Sequence, residues 1–290
     1  MASNEASVPN SKEHKFNPHF TQAVINATGP KATPRVRQLT TSLIQHLHDY
    51  ARENELTIDE WMTGLELMNE AGRWSDNKRN EGQLLCDIFG LESLVDEITY
   101  KLASDAADEP TATAILGPFW RADAPQLSMG DSIVQNTEGI GEGDRTKMHG
   151  IVTDYRTGQP IEGAVLDVWH TAPNGLYEQQ DPNQPEMNLR GRFTTGKDGK
   201  YEFYCLRPVP YPIPFDGPAG KILQALDRHP YRPAHIHFII TAPGYKPIVT
   251  QIFDRNSKYI EDDAVFAMAT FDDAKKHSAA GATEVSTAAI

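Results

Sequence analysis

Apolar residues recur along this chain with two different periods. From Pro34 the spacing is helical: Val36, Leu39, Leu43 and Leu47 return at intervals of three and four and share one face. A second helix opens at Thr57-Ile58-Asp59-Glu60, where Glu stands three residues after Thr in a capping box. It carries Trp61, Leu65 and Met68 on one side and ends near Gly72. A third helical stretch covers about 78–103 and is broken at Gly90. Residues 1–33 are polar, lack periodic apolar positions and read as a loose arm.

From about 112 to 270 the pattern changes to short runs rich in β-branched residues, with frequent Gly and Pro. Strands are expected at Met148–Asp154, Ala164–His170, Arg192–Thr195, Tyr201–Leu206, His235–Thr241 and Ile248–Phe253. Turn dipeptides separate them: Asn174-Gly175, Asp198-Gly199 and Pro243-Gly244. Short strands without intervening helices indicate an antiparallel sandwich. The expected class is α+β, with an arm at 1–33, a helical region at 34–110, a β-sandwich at 111–275 and a tail at 276–290.

Composition narrows the field. Of 290 residues, 39% are hydrophobic and 23% charged, which fits a folded globular chain and excludes extended disorder. With 27 basic against 40 acidic residues the net charge is −13, and no basic run offers a footprint for nucleic acid. No apolar stretch is long enough to span a membrane or to act as a secretory signal. The two cysteines, Cys86 and Cys205, form no C-x-x-C and read as reduced thiols, so a cytoplasmic location is expected. There is no Walker A, G-x-S-x-G or H-E-x-x-H motif, and Gly139-Ile140-Gly141-Glu142-Gly143-Asp144 lacks the last glycine of a dinucleotide fingerprint.

The candidate chemistry centres on Arg232-Pro233-Ala234-His235-Ile236-His237-Phe238. Residues two apart on a strand point to the same side, so His235 and His237 present two imidazoles to one spot. That is either a two-nitrogen metal grip or the polar face of a half-buried strand. Tyr177 follows the Asn174-Gly175 turn, and Tyr211 is held between prolines in a stiff loop. A phenol has a pKa of roughly 10, so only a strongly charged partner such as ferric iron ionises it at neutral pH. Hard phenolate oxygens suit that ion.

In this order the motifs resemble the intradiol aromatic-ring-cleaving dioxygenases. The matching pieces are Ile115-Leu116-Gly117-Pro118-Phe119, Asp167-Val168-Trp169-His170, Gly175-Leu176-Tyr177, Asn188-Leu189-Arg190-Gly191-Arg192, Pro210-Tyr211-Pro212, the Arg232–His237 segment and Thr250-Gln251-Ile252. The resemblance implies one non-haem Fe(III) per subunit, held by Tyr177, Tyr211, His235 and His237, with Tyr201 set aside as a packed strand residue. It implies that O2 is inserted into an ortho-diphenol ring between the two hydroxyl-bearing carbons. Arg232 then stabilises developing negative charge, Tyr211 serves as a base and Gln251 orients a ligand or an oxygen species. The pocket wall implied is Leu84, Asp87, Ile115, Leu116, Gly117, Ile213, Pro214 and Val265. The N-terminal helices are implied to build a homodimer interface, with lipid as a candidate occupant.

The Tyr211-Pro212-Ile213-Pro214 loop resembles the hydroxyquinol (benzene-1,2,4-triol) branch, whose product leads to maleylacetate; Asp87 is an acceptor for a third ring hydroxyl, and Asp at this place also occurs among chlorocatechol enzymes. Catechol and chlorocatechol are the alternative substrates. Trp120-Arg121 departs from the Tyr and small residue of many relatives. Two readings from other classes compete: a transthyretin-like binding module without catalysis, and a zinc hydrolase that adds His170 or His229 to the histidine pair.

Overall fold

The computed structural model describes residues 17–100, 111–267 and 288–289. The first part of the expected arm, the end of the third helical stretch and nearly all of the expected tail lie outside these. The chain divides into two compact units, Met1–Glu66 and Leu67–Ile290.

In the first unit, α1 (Phe20–Asn26) packs with α2 (Pro34–Glu53). The loose arm expected over 1–33 is therefore corrected at 20–26, where the chain is helical. The cause is tertiary: buried Thr21 bonds the His48 ring at 3.0 Å, and Phe20 stacks on that ring. Helix α2 begins as its sequence dictates, with Pro34 in the first turn and the Thr33 hydroxyl accepting from the Val36 amide. Its stripe of Val36, Leu39, Leu43 and Leu47 stays 52–58% exposed. Helix α3 (Ile58–Trp74) runs across the division and starts at the expected capping box, with the Thr57 amide donating to Glu60 and the Glu60 amide to the Thr57 hydroxyl.

In the second unit, α4 (Glu81–Ile88) and α5 (Leu91–Tyr100) are separated at Gly90, which adopts φ +69°. Among the described residues, nine strands follow in chain order: β1 (Arg145–Thr153), β2 (Val165–Trp169), β3 (Arg190–Thr194), β4 (Lys200–Leu206), β5 (Tyr211–Pro212), β6 (Tyr231–Arg232), β7 (His235–Thr241), β8 (Ile248–Phe253) and β9 (Ala288–Ala289). The six strands expected from the pattern each appear, with ends moved by up to three residues. One sheet has the order β3-β2-β7-β8, all antiparallel; β4 and β1 pair antiparallel in the other, which β9 joins.

Strand alternation explains both the core and the site. On β7, Ile236, Phe238 and Ile240 enter the core between the sheets with Leu166, Val168, Phe193 and Phe203. The intervening His235 and His237 must then face the opposite side. Tyr201 lies in the core, across from Gly150, where even a Cβ would meet the Tyr201 oxygen at 2.7 Å. A second apolar cluster joins Leu84 and Ile88 of α4 to Ile115, Ile213, Val265 and α6 (Pro218–Ala225). The buried Glu81 carboxylate accepts from the Ala219 amide at 2.9 Å, locking α4 to the start of α6.

Candidate active site

The outer face of β7 is the floor of the site. Pairing places Arg190, Trp169, His237 and Gln251 in one row across β3, β2, β7 and β8. The short ladder of β5 and β6 sets Tyr211 opposite Arg232. Tyr177 arrives from the Asn174-Gly175 turn, whose glycine adopts φ +80° and packs so closely that a Cβ would lie 3.3 Å from that of Tyr211.

Four donor atoms from these segments meet. The Tyr177 and Tyr211 hydroxyls are 3.2 Å apart, Tyr177 Oη is 3.2 Å from His237 Nε2, and the two Nε2 atoms of His235 and His237 are 3.1 Å apart. All four side chains are buried. His235 Nδ1 lies 2.6 Å from the Pro233 carbonyl, so it carries the proton and leaves its Nε2 lone pair facing the centre. Burial pushes both imidazoles well below their ordinary value, and the Arg232 cation adds to this. His237 Nδ1 has no hydrogen-bond partner, and its Nε2 faces the same centre as that of His235. Burial also raises both phenols, Tyr177 well above its ordinary value; Arg232 pulls each back down. A buried donor set of two nitrogens and two phenol oxygens fits a hard trivalent metal ion.

Aromatic rings pack against the donor side chains. Trp169 stacks on His237 with centroids 4.6 Å apart and planes at 6°, and Phe119 stacks on Tyr177 at 4.5 Å. Arg232 is buried, not a surface ion pair. Its guanidinium grips Asp263 with two bonds of 3.1 Å, donates to Gln251 Oε1 at 2.7 Å, and places Nη1 3.4 Å from Tyr211 Oη and 3.0 Å from His235 Nε2. Gln251 passes the link to the Ile115 carbonyl at 2.7 Å.

The cleft over this centre is lined by Leu84, Asp87, Ile115, Gly117, Ile213 and Val265, together with Pro118, Phe119, Tyr211, Arg232 and His237. Leu116 and Pro214, also expected in the wall, flank these lining residues in the chain. Leu116 turns toward the aromatic cluster of Phe119 and Trp169, and Pro214 follows the inward-facing Ile213. Asp87 is not a solvated helix residue: it is 1% exposed, its Oδ1 has no hydrogen-bond partner, and burial with the Glu92 carboxyl beside it pushes its pKa up to about 9. Glu92 in turn accepts from the Leu116 and Gly117 amides at 3.0 and 3.4 Å, tying α5 to the cleft wall.

Sequence reasoning missed Asp263 and Glu92, which nothing in their neighbourhoods distinguishes from other acidic residues. It also left the roles of Arg121 and Arg190 open; both bond to Glu178, next to Tyr177, at 2.8 Å.

Matches to known proteins agree with this geometry. Residues 33–107 match the family model described as catechol dioxygenase N terminus, and 115–288 match the one described as dioxygenase. The chain belongs to the intradiol ring-cleavage dioxygenases. It is 48% identical to the intradiol ring-cleavage dioxygenase prcA of Aspergillus niger over 89% of this chain and 81% of that one. It is also 48% identical to the catechol 1,2-dioxygenase of Candida albicans, over 86% and 80%. The crystal structure of hydroxyquinol 1,2-dioxygenase from Pseudomonas putida superposes with a TM-score of 0.74 at 40% identity, covering 86% of this chain and 84% of that one.

The protein is thus an oxidoreductase that opens an aromatic diol ring with O2, in a family that depends on non-haem iron. Membership removes the non-catalytic transthyretin-like reading. The zinc reading fails on placement: among the described residues no group of three or more His, Cys, Asp or Glu is gathered to hold a metal. His170 Nδ1 is engaged with the Thr171 carbonyl, and His229 faces Asp262. No helix among the described residues is long and apolar enough to cross a membrane.

Proposed function

We propose that Tyr177, Tyr211, His235 and His237 hold one Fe(III) per subunit, and that the enzyme is a hydroxyquinol 1,2-dioxygenase. The observation that carries the metal assignment is the meeting of four buried donor atoms at 3.1–3.2 Å, with the Pro233 carbonyl holding the His235 tautomer. When bound, ferric iron supplies a chelating centre for the diol and the electron-accepting character that opens the ring to O2. Tyr211 Oη receives a substrate hydroxyl proton, and the neighbouring Arg232 Nη1 favours the phenolate until then. Arg232, fixed by Asp263 and Gln251, then offers a permanent cation to negative charge developing on the ring.

The substrate reading rests on Asp87. Its unpartnered Oδ1 lies in an otherwise apolar wall, where a buried acceptor is costly unless it receives a hydrogen bond. The third ring hydroxyl of benzene-1,2,4-triol is such a donor, and the product leads to maleylacetate. Catechol, giving cis,cis-muconate, is the second reading, favoured by the 48% identity to the Candida enzyme of that name.

The exposed stripe of α2 supports a homodimer through the N-terminal helices, with lipid filling apolar space at the interface. The two free cysteines support a reducing, cytoplasmic setting.

Elemental analysis and a visible spectrum of the purified protein test the metal site. One iron per chain and a phenolate-to-iron absorption band are expected; Tyr211→Phe should shift the band and abolish most turnover. A colourless, iron-free protein after reconstitution with ferrous salt in air would refute the assignment. Steady-state rates on hydroxyquinol, catechol and 4-chlorocatechol decide the substrate.

A further inference from the structure

The Tyr211 phenol has a buried guanidinium beside its oxygen, that of Arg232. A second buried guanidinium, Arg190, stands on the other side of the site. It is 2% exposed, opens β3 directly across from Trp169, and holds its Cζ 5.9 Å from the centre of the Tyr177 ring. Few arginines are buried this deeply without a task or a full set of partners.

Its partners all lie in the turn that follows Tyr177. Arg190 Nε donates to Glu178 Oε2 and Nη2 to Gln179 Oε1, each at 2.8 Å. The far side of Glu178 takes Arg121 Nη1 at 2.8 Å, and Arg121 continues to Glu186 at the surface. Gln180 closes the turn by accepting from the Tyr177 amide at 3.0 Å. The residues immediately beyond Tyr177 are therefore fastened from two directions, and Arg190 is the fastening on the metal side.

We propose that Arg190 is a positioning residue for Tyr177: its fork fixes the turn that aims the phenol oxygen, and its charge lowers the electron-donating strength of that oxygen toward the metal. The proposal rests on Tyr177 being an iron ligand. A cation near one phenolate stabilises the electrons that this ligand shares, so it acts on the energy of ligand-to-metal charge transfer as well as on affinity. A purely structural arginine would alter affinity or folding alone.

Arg190→Met removes charge and fork, and leaves Glu178 still paired to Arg121. Arg190→Lys keeps the charge but cannot reach Glu178 and Gln179 together with one planar group. Each variant is loaded with iron, titrated with a chelator and scanned in the visible range. Unfolding of the metal-free protein is followed by circular dichroism. The wild-type band, read first, tests the metal site itself; without it the ligand assignment fails, independently of Arg190.

With that band present, Arg190→Met is expected to absorb at longer wavelength and to hold iron more weakly, on the order of 10–100-fold, as when an outer partner of a metal ligand is lost. Arg190→Lys is expected to weaken iron binding while leaving the band in place. Arg121→Ala, which removes only the outer hold on Glu178 and leaves the Arg190 cation in place, should leave the band in place too. An Arg190→Met enzyme with an unmoved band overturns the electrostatic role, and unchanged iron retention in Arg190→Lys overturns the positioning role. Should Arg190→Met fail to fold, Arg190→Gln, uncharged but still able to bond one partner in the turn, takes its place: a band at longer wavelength upholds the electrostatic role and an unmoved band overturns it.

Discussion

Replacing Asp87 by Asn should make the protein more stable, by an amount that grows with pH. The carboxyl is buried in the cleft wall, and its pKa is pushed up to about 9 from an ordinary 3.8, first by burial and then by the Glu92 carboxyl. Below pH 4 both the folded and the unfolded chain hold this proton. Between about 4 and 9 the unfolded chain has released it and the folded chain has not. Stability therefore falls as pH rises through that window. At about 1.36 kcal/mol per pH unit, the penalty reaches roughly 4 kcal/mol at pH 7, a ceiling that relaxation of the site reduces.

Asn has nearly the same shape, carries no such penalty, and can donate its amide to Glu92 while leaving its oxygen free. Urea midpoints of wild type and Asp87→Asn, taken each half unit from pH 4.5 to 8.5, measure the effect. The two should converge at the acid end and separate steadily toward the alkaline end. Parallel curves, or a variant that loses stability as pH rises, would refute the burial argument. The same pair separates stability from recognition. Asp87→Asn keeps an acceptor for the third ring hydroxyl and should keep its preference for hydroxyquinol over catechol. Asp87→Ala should lose about 1–3 kcal/mol of that preference, or roughly 5–150-fold in the ratio of kcat/KM values.

Two other perturbations follow from packing. At Gly191 a Cβ would stand 2.7 Å from Ile133 and 2.8 Å from Leu127, so Gly191→Ala should destabilise by about 1–3 kcal/mol and lower the urea midpoint without changing the slope. Leu43→Glu with Leu47→Glu puts charge on the exposed stripe of α2; light scattering should show a wild-type dimer and a monomeric variant, and an unchanged mass would remove the N-terminal helices from the interface.

Periodicity carried most of the architecture. The helix beginning at Pro34, the capping box at Thr57, the break at Gly90 and the six principal strands all follow from local rules, because hydrophobic spacing and turn chemistry act over a few residues. The alternation of β7 also placed His235 and His237 on one side before any partner was known. The arm at 20–26 misled, since that helix is held by contacts to His48, 27 residues away from Thr21.

Tertiary structure alone decided what surrounds those imidazoles. Tyr177 and Tyr211 are 34 residues apart, and only the Gly175 turn pressed against the β5–β6 ladder brings their oxygens to 3.2 Å. The buried pairing of Arg232 with Asp263, and of Arg190 with Glu178, depends on strand order across the sheet and on loops returning from a distance. Charge and burial are properties of place: the resemblance puts Asp87 in the pocket wall, but its raised pKa arises only because α4 packs on α6 and Ile115 with the Glu92 carboxyl alongside. Short-range spacing is written along the chain, whereas dielectric surroundings and long-range partners exist only after it has closed on itself.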